Sequence, residues 1–118
     1  MAWLIQIKGL TLQHSLIRYG ERMSRDLFDG TDGFAIDGGI KDASHIQRLS
    51  VAYNSPMPAL SSAHQHLLTA RALHTSQAAQ GTQDYDVLDW SALIAGTRVA
   101  AGLDGFDGRR HSKVEKDE

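Results

Sequence analysis

The stretch PALSSAHQHLLTARALHTSQAA, residues 58–79, decides the fold. Leu60, Ala63, Leu67, Ala70 and Leu73 recur every three or four positions, with His64, Leu68 and Ala72 beside them, which is the spacing of a helix with one apolar side. Pro58 suits the first position of such a helix, where its missing N–H has no intrahelical acceptor to lose. The spacing predicts a long amphipathic helix over 58–79, and a chain organised around it is expected to be all-α.

Just before this helix, Pro56-Met57-Pro58 makes a rigid connection, because a proline pushes the residue ahead of it out of helical geometry. Upstream, Ile40, Ala43, Ile46, Leu49 and Tyr53 mark the buried side of another helix, beginning near Gly38 or Gly39, capped by Asp37 and ending at Asn54-Ser55. Lys41 and Asp42 then fall in its first turn. From Gly20 to Gly39 the chain is punctuated by glycine and aspartate (Asp29-Gly30-Thr31-Asp32-Gly33), which predicts turns and a shaped loop with Phe28 and Phe34 as its aromatics. Leu4, Ile7, Leu12, Leu16, Tyr19 and Met23 keep helix-like spacing and predict a helix over 10–19.

Downstream, the polar run from Gln77 to Asp84, with Gly81 inside it, reads as a loop. A fourth helix follows, capped by Asp86 or Asp89, with Trp90, Leu93, Ile94, Thr97 and Ala101 as its inner stripe and Gly102 as its stop. Beyond Gly108 the segment is charged and has almost nothing to bury, so a disordered tail over 108–118 is expected. The result is a bundle of about four helices: an N-terminal helical segment over 1–21, a helical domain over 22–107 and the tail.

The 118 residues suffice for one domain with a real core, but not for a nucleotide-binding domain and a substrate domain together. Twelve Lys and Arg against fourteen Asp and Glu give a formal charge of −2 with no basic stretch outside the tail, which argues against a nucleic-acid partner. There is no cysteine, hence no thiolate metal site or cysteine nucleophile, and the composition suits a reducing compartment. The apolar stretches are far shorter than a membrane span, and Lys8, His14 and Arg18 interrupt the opening segment where a secretory signal needs continuous apolar residues. A cytoplasmic protein without a membrane partner is expected.

Few motifs carry chemistry. Asp37-Gly38-Gly39 lacks both the preceding strand and the third glycine of a dinucleotide-binding turn, and reads instead as the flexible start of a helix. His64 and His66 are two apart, so on a helix they face different ways and make a poor metal pair; His64 suits a packed or hydrogen-bonded role. No serine sits in a nucleophile elbow. Lys41 is the informative residue, because a cation in a helix's first turn opposes the macrodipole. Asp42 beside it compensates, or Lys41 is a solvated surface residue, or it reaches toward an anionic ligand in a cleft.

Phe34, Lys41-Asp42, Asn54-Ser55-Pro56-Met57-Pro58, a long helix with Ala63-His64, and Asp89-Trp90-Ser91-Ala92-Leu93 after an acidic turn occur in an order that resembles the C-terminal domain of the β-hydroxyacid dehydrogenases. That family includes 3-hydroxyisobutyrate dehydrogenase and is related to 6-phosphogluconate dehydrogenase; the resemblance spans about residues 22–105. It implies an all-helical domain that packs on an N-terminal Rossmann domain and closes a cleft holding NAD or NADP and a small hydroxy acid or semialdehyde. Lys41 would contact the cofactor, and Asp42 and Phe34 would line the same cleft. The family's phosphate-binding glycine turn, substrate loop and acid/base lysine lie upstream of this region and have no counterpart here, so no catalytic residue is assigned. The resemblance implies a partial dehydrogenase, a cofactor-cleft and dimerisation domain inactive alone; the alternative is a non-catalytic helical interaction module that self-associates.

Overall fold

Leu67 and Ala70 of the long helix face Ile36, Gly39, Ile40 and Ala43 of the helix before it, and this buried strip organises the molecule. The computed structural model describes residues 14–111, which are mostly helical, with no strand among the described residues beyond two isolated antiparallel bridges. Helix α1 covers residues 14–24, α2 Ile36–Ala52 and α3 Pro58–Gln80. A 3-10 turn, Trp90–Ile94, runs directly into the short helix α4, Ala95–Ala100, and a second 3-10 turn closes the described part at Gly108–His111. No helix among the described residues is long and apolar enough to cross a membrane.

The α2–α3 hairpin follows the pattern of the sequence. Pro58 opens α3, and Gly81 ends it in the left-handed conformation at φ 69°; Gly102, at φ 80°, does the same after α4. Both positions need a residue without a Cβ penalty. Of the expected apolar stripe of α3, Leu67 and Ala70 are buried and Leu60, Leu68 and Leu73 partly so, whereas Ala63 and Ala72 face solvent.

Three expectations need correction. Asp37 does not cap α2: the cap is Ala35, with no side-chain hydrogen bond, and the helix already begins at Ile36. The cause is non-local. Ile36 N–H donates to Leu88 O at 2.8 Å and Trp90 N–H to Phe34 O at 2.8 Å, so the backbone is fixed just ahead of α2 and helical geometry starts there. Asp37 becomes a first-turn carboxylate, well placed against the helix dipole and paired with Arg71 at 3.0 Å. Lys41 consequently lies in the second turn, where the dipole penalty has largely faded.

The buried side of α2 is also shorter than its pattern. Ile46, Leu49 and Tyr53 are 39%, 57% and 76% exposed, because the 3-10 turn at Trp90–Ile94 covers only the N-terminal half of the helix. The expected fourth helix, finally, is mostly that 3-10 turn, with just six residues of α-helix after it; Asp89, one of the two expected caps, accepts from Ser91 N–H at 2.9 Å.

At the N-terminal side, the described part of the predicted 10–19 helix continues past Gly20 to residue 24, held by Tyr19 edge-on against Trp90. Residues 1–13, with Leu4, Ile7 and Leu12, lie outside the described residues, as do residues 112–118 of the expected tail. The first residues of that tail form the closing 3-10 turn, and Gly108 N–H donates to Asp26 Oδ2 at 2.9 Å.

Loop residues complete the core. Phe28, Leu88 and Phe106 join Ile36, Ile40, Leu67, Ala70, Ala92 and Ala95 in one buried cluster. Phe28 is fully buried, with Tyr85 and Phe106 edge-on at 6.4 and 6.3 Å and the Arg98 guanidinium 5.3 Å from its ring centre. Arg98 also donates to Asp26 Oδ1 and to Met23 O, both at 2.6 Å, tying α4 to the end of α1.

Candidate functional site

The glycine- and aspartate-rich loop between α1 and α2 is shaped by its own side chains and by one buried carboxylate. Asp29 Oδ1 accepts from the Thr31 N–H at 3.0 Å and its hydroxyl at 2.7 Å; these bonds, the backbone one foremost, hold the carboxyl below its ordinary pKa. Gly30 N–H donates to Val87 O and Asp89 N–H to Phe28 O, at 2.8 and 2.7 Å, which stitches the loop to the segment before Trp90. The Asp89 side chain, 1% exposed, then reaches back: Oδ1 accepts from Phe34 N–H at 2.8 Å and Oδ2 from Ser91 N–H at 2.9 Å. Arg22 Nη2 stands 3.5 Å from Oδ1, so the buried charge has a counter-ion as well as hydrogen bonds. Gly33 is required by this approach, since a Cβ there would lie 2.0 Å from Asp89 Oδ1.

A polar cleft opens above this carboxylate. Arg18, Tyr19 and Arg22 of α1 form one wall, Asp32, Gly33 and Phe34 of the loop the other, with Asp89 and Trp90 also in the lining. Trp90 meets Tyr19 and Phe34 in edge-to-face contacts at 5.0 and 5.9 Å. Phe34 is 45% exposed, and its ring rests on α2 at Gly38, where an added Cβ would come within 2.9 Å of the ring.

Of the three residues proposed from the sequence, Phe34 lines the cleft, while Lys41 and Asp42 do not. Both are exposed, and neither forms an ion pair with another described residue. They sit three and four positions after Gly38, so helical register puts them on the side of α2 that carries the Phe34 ring. His64 is half-buried, with Nε2 3.3 Å from Ser44 Oγ, and Ser44 in turn donates to Ile40 O. His66, two residues on, is exposed.

The cleft residues missed from the sequence are Arg18, Tyr19, Arg22 and Trp90 as a group. A signal existed: Arg18 and Arg22 are four apart, which places two guanidiniums on one side of a helix. What spacing does not contain is the tertiary contact that brings Trp90 and Phe34 opposite them. Comparison with protein families, with curated proteins and with solved structures finds no match for the chain.

Proposed function

We propose that this chain is the helical cofactor-cleft domain of a β-hydroxyacid dehydrogenase-like enzyme, working only together with a Rossmann domain. The observation that carries the reading is the state of Lys41: exposed, unpaired among the described residues, and on the same side of α2 as Phe34. Its ammonium is a compact charge suited to a phosphate or carboxylate oxygen. Asp42 and Phe34 flank that position. In this reading the pyrophosphate cradle is supplied by the Rossmann domain, because the glycine turn it needs joins a strand to a helix. NAD or NADP, when bound, exchanges the hydride with a small hydroxy acid or semialdehyde. The contribution of this chain is to bind and orient through Lys41 and to close one side of the cleft with Phe34.

The test is a chimera in which this chain replaces the helical domain of 3-hydroxyisobutyrate dehydrogenase. NAD(P)-dependent oxidation by the chimera, reduced about a hundredfold by Lys41→Ala, supports the reading. A folded chimera whose rate is indifferent to Lys41→Ala overturns it.

A second reading, a non-catalytic interaction module, is favoured by a different observation. Leu49, Val51, Tyr53 and Met57 are exposed together around the α2–α3 connection. Apolar residues gathered in one exposed region are typical of an interaction surface. Sedimentation of the chain separates the two: concentration-dependent association abolished by Leu49→Glu, with an inactive but folded chimera, puts the interaction module first.

A further inference from the structure

Aspartate followed by glycine is prone to self-modification, because the carboxyl carbon lies within reach of the next backbone nitrogen and glycine has no Cβ to obstruct the approach. The sequence contains five such pairs: Asp29-Gly30, Asp32-Gly33, Asp37-Gly38, Asp104-Gly105 and Asp107-Gly108. Their local chemistry is the same, and the fold separates them.

Reaction needs a free carboxyl group and a peptide group able to turn toward it, and four of the five pairs lack one or both. Gly30 is buried and its N–H donates to Val87 O at 2.8 Å, while the Asp29 carboxylate is occupied by Thr31. At the start of α2, Gly38 N–H donates to Ala35 O at 2.9 Å and Asp37 pairs with Arg71. Asp104 Oδ1 accepts from the Phe106 and Asp107 N–H groups, both at 2.9 Å, beside a buried Gly105. Asp107 Oδ1 accepts from Arg109 N–H, and Gly108 N–H donates to Asp26 Oδ2, both at 2.9 Å.

Asp32-Gly33 differs from all of these. Both residues are exposed, and the Asp32 carboxylate has no hydrogen-bond or ion-pair partner among the described residues. The peptide group between them is equally free, since neither Asp32 O nor Gly33 N–H is hydrogen-bonded to a described residue. The loop is pinned on either side of it, at Gly30 by Val87 O and at Phe34 by Asp89.

We propose that Asp32-Gly33 is a site of self-modification, at which the folded chain converts Asp32 to isoaspartate. The Gly33 nitrogen bonds to Asp32 Cγ, the Cγ–O bond breaks, and that oxygen leaves as water with the amide hydrogen and the carboxyl proton. The cyclic imide then takes up water, and opening at the α-carbonyl routes the backbone through the former side chain. Water is the only co-reactant. The product inserts a methylene into the backbone between two pinned points and moves a carboxylate in the lining of the cleft, next to Phe34. The step depends on neither functional reading.

The experiment incubates the full chain at neutral pH and body temperature, folded and in parallel unfolded in guanidinium chloride, and maps isoaspartate by fragmentation of tryptic peptides. Cleavage after Arg25 and Lys41 puts Asp29, Asp32 and Asp37 in one peptide, and cleavage after Arg98 and Arg109 puts Asp104 and Asp107 in another, so the sites are read against each other. In the folded chain isoaspartate is expected at Asp32 at about ten times the level of any other pair, because the other four react only when local structure opens. Unfolding should bring the five to within about threefold of one another. Asp32→Glu, whose longer side chain must close a less favourable ring, should remove the signal at this position and leave the other four unchanged. A folded chain that accumulates no isoaspartate at Asp32, or as much at another pair, overturns the proposal.

Discussion

The Asp89 carboxylate accepts the backbone N–H of Phe34 at 2.8 Å across 55 positions of sequence, and so sets where the candidate cleft's exposed aromatic stands. The same side chain caps the 3-10 turn that begins at Trp90. Removing it, as in Asp89→Ala, leaves two backbone donors without their acceptor and Arg22 without its counter-ion, and should cost about 3–4 kcal/mol in urea unfolding. Asp89→Asn keeps an acceptor and should lose less. A loss under about 1 kcal/mol for the alanine variant would show that the loop is held by other contacts.

Two glycine substitutions should act in opposite directions. Gly33→Ala puts a Cβ 2.0 Å from Asp89 Oδ1 and must displace the loop, with an expected loss of several kcal/mol. Gly20→Ala meets nothing within 4 Å inside α1 and should stabilise the chain by about 0.5–1 kcal/mol. Thermal melts of both variants decide the matter, and stabilisation by Gly33→Ala would contradict the described loop geometry.

Arg98 joins Asp26 and Met23 O through two different nitrogens while lying over Phe28. A lysine keeps the charge but not the fork, so Arg98→Lys should still lose about 1–2 kcal/mol and Arg98→Ala about 3 kcal/mol. Equal stability of Arg98→Lys and the parent chain in chemical denaturation would show that charge alone matters at this position.

Tyr85 donates its hydroxyl hydrogen to Asp26 O at 2.9 Å, and burial, followed by the nearby Asp26 carboxylate, raises its pKa above the ordinary 10.0. The folded state therefore holds the phenol proton more tightly than the unfolded chain. Its contribution is fully present below about pH 10 and is lost as pH rises through the higher folded value. Tyr85→Phe should cost about 1 kcal/mol at neutral pH, and its stability should fall less steeply above pH 10 than that of the parent chain. Parallel alkaline profiles for the two chains would remove Tyr85 as the source.

What was legible in the sequence is what depends on local period and local stereochemistry. The proline pair and the apolar spacing of α3 located the hairpin, and Gly102 marked the end of α4, because each acts within a turn or two of its own position. The start of α2 was not legible, since Asp37 is a good local cap that is overridden by the hydrogen bonds of Ile36 N–H to Leu88 O and of Trp90 N–H to Phe34 O, some fifty residues away. Phe28, Leu88 and Phe106 were hidden for a related reason: single apolar residues in aspartate- and glycine-rich segments have no period to reveal them. In the candidate cleft, the arginine spacing was visible, but its aromatic counterpart arises only when Trp90 folds back onto α1. Lys41 was singled out by its place near the start of a helix and, with Phe34 and Asp42, through a resemblance, and the fold places the three on one side of α2 without joining them in a single pocket.

The uneven cover of α2 has a dynamic consequence. Its first two turns are locked between Leu67, Trp90 and the bridge hydrogen bonds, whereas its last turns, toward Val51 and Tyr53, have little packed over them. Opening free energy should therefore fall along the helix, with amides near Ala43 exchanging hydrogen only through global unfolding and those near Val51 through local fraying. The hairpin acts as an anchored lever: rigid where it meets the core and compliant at the end it presents to the surroundings, so a partner gripping that end could order it without disturbing the core.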